Sequence, residues 1–211
     1  MNFTNIFLIL FLLSLSLSCN KVESEVLPIL GNRETLEDGT IKYHSIPSFS
    51  FIDQDSMPFT EKSVENKIYV ADFFFISCPS ICPMVSRQML RVYDQYLKED
   101  KLMFVSFSID PKRDTVERLA NYARNLGVNT EKWKFVTGKK EAIFDIAKDY
   151  FSIAIENEEA PGGFDHSGRL ILVDDKNHIR SFCDGTDPLS VDGFILDIQK
   201  LLKESKGEIK K

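Results

Sequence analysis

The chain has 211 residues, 43% hydrophobic and 27% charged, a globular composition that fits one domain better than two. Its 17 Phe, 6 Tyr and single Trp supply a real core and argue against disorder, while 26 Lys+Arg against 32 Asp+Glu (net charge −6) argue against a nucleic-acid backbone binder. Four cysteines are too few for a disulfide-stapled scaffold, so each needs its own explanation.

Residues 6–17 (IFLILFLLSLSL) are apolar apart from two serines. A bilayer span needs roughly 20 apolar residues, so this run has the length of a signal-peptide core rather than a membrane helix. The preceding residues lack Lys and Arg, which weakens the pattern. Ser16-Leu17-Ser18-Cys19 then resembles a bacterial lipobox, with Ser16 where the usual pattern has Leu. The expectation is a signal peptide over 1–18, a lipidated Cys19 and a tether over 19–26. The folded domain is expected over 27–205, with a polar tail over 206–211. The mature protein is then an exported lipoprotein facing the periplasm, held to the membrane by its lipid. A plain secretory peptide with an incidental cysteine is the alternative, and a buried N-terminal helix is a third. Outside the cytoplasm, an unprotected dithiol tends to oxidise.

After the tether, a hairpin is expected around Asp38-Gly39, then a short strand at Phe49, Phe51 and Ile52. Residues 67–76 (KIYVADFFFI) are almost continuously apolar, as in a strand covered on both faces. Val85, Met89, Val92, Tyr93 and Tyr96 predict a helix over 84–98. A second buried strand follows over 102–109, then a helix over 114–125 with Asp114 and Glu117 in its first turn. A strand over 134–136 and a helix over 140–151 come next. Residues 169–174 and 178–183 read as antiparallel strands joined by Asp-Asp-Lys-Asn, and residues 189–203 as a closing amphipathic helix. The whole is an α/β fold with helices around a central mixed sheet.

The first long strand runs into Ser77-Cys78-Pro79-Ser80-Ile81-Cys82-Pro83-Met84. Proline is tolerated only in a helix's first turn, so Pro83 places the helix start near 80–82 and both thiols at or just before it. The helix dipole there is expected to lower thiol pKa values. Four-residue spacing on a helix puts two Cβ atoms about 5–6 Å apart, close enough for a disulfide or for two sulfurs on one metal. Two cysteines that merely pack would not explain a pair of Cys-Pro dipeptides at a strand-to-helix turn. Among the three histidines, His44 and His178 read as solvated surface residues. His166 follows a Gly-rich stretch and precedes a central strand, so it is either a third ligand or a hydrogen-bonded loop residue. Asp165 could orient its imidazole. Two thiolates alone do not complete a stable metal site.

Three segments in order resemble the Sco/SenC family: residues 72–84 (DFFFISCPSICPM), residues 106–115 (SFSIDPKRDT) and Asp165-His166-Ser167. The resemblance spans roughly 27–203 and implies a thioredoxin-like fold with an added hairpin. It implies one copper ion, Cu(I) or Cu(II), bound by Cys78, Cys82 and His166. The implied role is delivery of copper to the copper A subunit of cytochrome c oxidase by a monomeric carrier. Reduction of that centre's cysteines by the Cys78–Cys82 redox pair is an added or alternative role. Family members often carry a membrane-spanning N-terminus, for which Cys19 would substitute a lipid anchor. The 110–115 segment is expected to cap the next helix through Asp114 and is given no direct chemistry. Thioredoxin-like oxidoreductases carry a cis-proline where Asp165-His166-Ser167 stands here, which counts against a general disulfide reductase. A metal-independent thiol–disulfide oxidoreductase and a peroxiredoxin-like protein are the competing functions. Cys183 reads as a small buried apolar side chain, with a resolving thiol as the other reading.

Overall fold

The computed structural model describes residues 26–209. The N-terminal half contains β1 (Arg33–Thr35), β2 (Ile41–Tyr43), β3 (Ser50–Asp53), β4 (Pro58–Thr60), β5 (Ile68–Phe74), α1 (Cys82–Gln95) and β6 (Leu102–Ser108). There follow α2 (Val116–Leu126), β7 (Trp133–Thr137), α3 (Lys140–Asp149), β8 (Ala154–Glu156), β9 (Phe164–His166), β10 (Arg169–Val173), β11 (Ile179–Asp184) and α4 (Pro188–Ser205). Seven strands form one mixed sheet in the order β11-β10-β5-β6-β7-β3-β4. β5, β6 and β7 are parallel, and their crossovers are α1 and α2. The β1–β2 hairpin lies outside this sheet and turns at Asp38-Gly39, where the Asp38 carboxylate accepts from the Thr40 N–H at 2.8 Å.

All seven residues of β5 are buried, which explains its unbroken apolar run: it has a strand on each side and helices on both faces. Alternate side chains point to opposite layers. Phe74 meets Tyr122 of α2 at 5.5 Å between rings, while Phe73 meets Tyr150 at the end of α3 at 5.5 Å. The Tyr69 and Tyr150 hydroxyls share a buried 2.8 Å hydrogen bond. The α4 layer is tied to α1 by Tyr96, whose hydroxyl donates to the Ile195 carbonyl at 3.0 Å. The sequence expectation of helices around a central mixed sheet holds, with element ends moved by a few residues.

Two expectations need correction. The α2 N-cap is Thr115, whose hydroxyl accepts from the Arg118 N–H at 3.4 Å; Asp114 is buried and caps nothing. Nor are His44 and His178 solvated. The half-buried His44 ring packs on Phe151, and its Nε2 donates to the Asp149 carbonyl at 2.7 Å. His178 stands edge-on to Tyr43, with Nδ1 3.6 Å from the Asp174 carboxylate. Both partners lie far away in sequence or across a turn, so a residue-by-residue reading had no signal for them. Nearby, the buried Arg180 guanidinium pairs with Asp174 at 3.0 Å and Glu204 at 2.8 Å, and donates to the Leu27 and Pro28 carbonyls. This is where the chain leading in from the N-terminus is fastened, at the end of β5 away from the cysteines.

Candidate metal centre

β5 ends at Phe74, and the chain turns sharply, with the Cys78 N–H bonded to the Phe75 carbonyl at 3.2 Å. Helix α1 then begins at Cys82, with Pro83 in its first turn, as the proline required. Cys78 is therefore not on the helix. A turn, rather than helical spacing, brings the two sulfurs together. Both cysteines are buried, at 6% and 5% exposure.

His166 is the last residue of β9, not part of a loop. β9 pairs with β8 in a small two-stranded sheet, with His166 opposite Ala154. Its Nε2 lies 3.5 Å from the Cys78 Sγ and 3.3 Å from the Cys82 Sγ. The three donor atoms all fall within 4.8 Å of one another, and among the described residues they form the one such cluster of His, Cys and carboxylate groups. The Phe75 ring stands edge-on to the imidazole at 5.5 Å. Asp165 does not orient His166; its carboxylate accepts from the Asn157 amide at 2.7 Å instead. The His166 Nδ1 is buried and, among the described residues, finds no hydrogen-bond partner of ordinary geometry. Burial lowers the His166 pKa, over smaller opposite pulls from the Phe73 backbone and the Asp165 charge, so the site favours the neutral ring.

The thiols differ, contrary to the expectation that the helix start lowers both. Burial pushes Cys78 up, but hydrogen bonds from the Cys82 and Ser80 backbones, the Ser80 hydroxyl and the Cys82 thiol outweigh it. Its pKa falls below the ordinary thiol value. Burial pushes Cys82 well up, and the charges of Cys78 and Asp72 add to this, against the Phe75 backbone. The Ser80 hydroxyl sits 3.6 Å from the Cys78 sulfur, a contact the sequence signalled only as a hydroxyl two residues on. Cys183 lies on β11 opposite Leu170, buried and outside the cluster, as a small apolar side chain would.

The seating of the hairpin depends on a glycine. Gly162 has φ +85°, and a Cβ there would lie 2.6 and 2.8 Å from two Phe75 ring atoms. Gly162→Ala is expected to cost about 2–4 kcal/mol from left-handed strain and overpacking. It should also push His166 off the thiols. In α4, an added methyl at Gly193 meets nothing within 4 Å, so Gly193→Ala should stabilise by roughly 0.5–1 kcal/mol. Urea melts of the two variants measure the contrast.

A mixed sheet with a cysteine pair where its central strand meets a helix, and a histidine brought over it by a later hairpin, defines a thioredoxin-like domain carrying a Cys-Cys-His donor set. The chain belongs to the SCO1/SenC family, whose family model matches residues 37–203. It is 25% identical over 158 residues to the SCO1 protein homolog of Bacillus subtilis (strain 168), covering 74% of this chain and 82% of that one. Among solved structures it is similar to a SCO1/SenC family lipoprotein from Bacillus anthracis, with TM-score 0.69 and 28% identity, covering 75% of this chain and 95% of that one. Arabidopsis thaliana ScoI, solved with copper bound, matches with TM-score 0.61 and 26% identity over 73% of this chain and 98% of that chain.

Proposed function

We propose that this protein is an exported copper carrier that holds one ion between Cys78, Cys82 and His166. It delivers the ion to the copper A-bearing subunit of cytochrome c oxidase. The observation that carries this is the convergence of two sulfurs and one imidazole nitrogen within 4.8 Å. The donors fit the ion: soft thiolates and an imidazole select copper, and three ligands satisfy Cu(I) without a fourth. A metal on Nε2 leaves the proton on Nδ1, the buried atom without a well-placed partner. A mostly apolar cavity of 380 Å³, lined by Cys78, Cys82, Ile76, Leu90, Tyr122 and Leu126, gives an acceptor protein access to both sulfurs.

Cys19 would be the lipidated residue holding the protein, as a monomer, at the periplasmic membrane surface, with residues 27–205 as the working domain. Support comes from the lipobox-like sequence and from the lipoprotein relative; Cys19 itself lies outside the described residues. Among the described residues no helix is long and apolar enough to cross a membrane.

Copper titration of the reduced protein should saturate at one ion per chain, and His166→Ala should weaken binding by more than the ~10–100-fold typical of outer-shell changes. Absence of binding, or binding indifferent to His166→Ala, would overturn the carrier reading. The asymmetry of the two thiols favours a second reading, a thiol–disulfide oxidoreductase using Cys78 as its nucleophile. Its activity on oxidised protein substrates would survive His166→Ala and vanish in Cys78→Ser.

A further inference from the structure

Residues 110–115 (DPKRDT) supply no ligand, yet they touch both halves of the donor set. On one side, the fully buried Asp114 accepts from the Ile76 N–H at 3.0 Å and from the Ser108 hydroxyl at 2.7 Å. Ile76 lies two residues before Cys78, so this carboxylate fixes the start of the cysteine turn. On the other side, the Arg113 Nη2 donates to the Gly162 carbonyl at 2.6 Å, and its guanidinium lies over the Phe164 ring at 5.7 Å. Its Nε is held by the Asp110 carboxylate. Phe164 belongs to β9, the strand that carries His166, and Gly162 lies in the turn leading into it.

Phe75 and Phe144 pack on Phe164, and Lys140 pairs with Glu156, so Arg113 is one of a few fastenings between the hairpin and the body. β8 and β9 pair only with each other, outside the main sheet, and an isolated two-stranded hairpin is at best marginally stable. Its fastening to the body therefore decides where the imidazole stands. We propose that Arg113 is a positioning residue for His166, gripping the hairpin while its neighbour Asp114 grips the cysteine turn. The β6–α2 connection thereby sets the separation of imidazole and thiols. Arginine is required because its planar fork reaches Asp110 and the Gly162 carbonyl together, whereas lysine offers a single point donor. The Arg113 side chain is 45% exposed, so its removal leaves no hole in the core.

The inference rests on the copper reading for its ligand, and two measurements keep them separable. With Cu(I) and a competing chelator, Arg113→Ala should weaken binding about 10–100-fold, the range for groups that orient a ligand, with Arg113→Lys in between. In a His166→Ala background the same change should alter affinity less than about twofold, because a residue acting through His166 has nothing left to position. In the metal-free protein, Arg113→Ala should speed amide exchange in the 154–166 hairpin while leaving β5 protected. Equal losses in both backgrounds, no loss in either, or unchanged hairpin exchange overturns the proposal. A wild-type chain that takes no copper overturns the copper reading and the ligand role of His166. It is told apart from failure of the clamp itself, which shows as unchanged exchange.

Discussion

Iodoacetamide added to the reduced, metal-free protein at pH 7.5 will modify Cys78 long before the two other cysteines of the folded domain. Accessibility does not decide this, since Cys78, Cys82 and Cys183 are 6%, 5% and 5% exposed. Thiolate fraction does, because the thiolate is the nucleophile and its share falls tenfold per unit of pKa. Burial pushes Cys183 up to about 12, with Asp184 and Asp197 adding their negative charge and only the Leu170 backbone and Arg91 opposing. At Cys78 the donors around the sulfur carry the pKa below the ordinary 9.0. The two shifts run in opposite directions, so Cys78 carries by far the larger thiolate fraction. Burial holds Cys82 on the high side as well. Peptide mapping by mass spectrometry at short reaction times checks the order, and early modification of Cys82 or Cys183 would refute it. Adding one equivalent of copper should protect Cys78, the result the carrier reading requires.

This asymmetry gives the two motif cysteines different work. Cys78 meets an incoming group, whether a metal ion or a disulfide, with its proton held less tightly than in an ordinary thiol. In the carrier reading, Cys82 gives up its proton only when the cation arrives to offset its burial. In the same reading the neutral imidazole of His166 binds through Nε2 without losing a proton, so any rise of affinity with pH comes from the thiols.

The legible parts of the fold were those where one strong local constraint acts. The apolar run of β5, the helical spacing of Val85, Met89 and Val92, and Pro83 at the start of α1 each depend on neighbours in sequence. The cysteine pair was legible for the same reason. His166 was recognisable as a candidate, but its strand was not, because three residues of β9 carry no periodicity and are held by contacts from Phe75. Asp114 misled because an acidic residue before a helix is usually a cap or a dipole partner. Its real partner, the Ile76 N–H, lies 38 residues away and is brought near only by the β5–β6 register. His44 and His178 failed likewise, since a histidine in a polar stretch looks solvated until the tertiary neighbours are known.

Asp72→Asn should remove most of the loss of stability that the wild type suffers between pH 4 and pH 8. Asp72 sits in the middle of β5, 3% exposed, with no cation at ion-pair distance among the described residues. Its Oδ1 accepts from the Ser106 hydroxyl at 2.5 Å, across the register from it, and that hydroxyl accepts from the Trp133 indole at 2.9 Å. Burial pushes the carboxyl up to about 7 from 3.8, with the Ser106 hydrogen bond opposing. Between these values the folded chain keeps a proton that the unfolded chain has lost, so stability is full at pH 4 and drains as pH rises through 7. At 1.36 kcal/mol per unit, the advantage of the variant over wild type should grow by roughly 2–4 kcal/mol from pH 4 to pH 8. Urea midpoints across that range test it, and parallel curves for the two proteins would sink it. The Asp72 charge also acts on Cys82, raising its pKa. The same substitution should therefore speed Cys82 alkylation at pH 8 while leaving Cys183 slow.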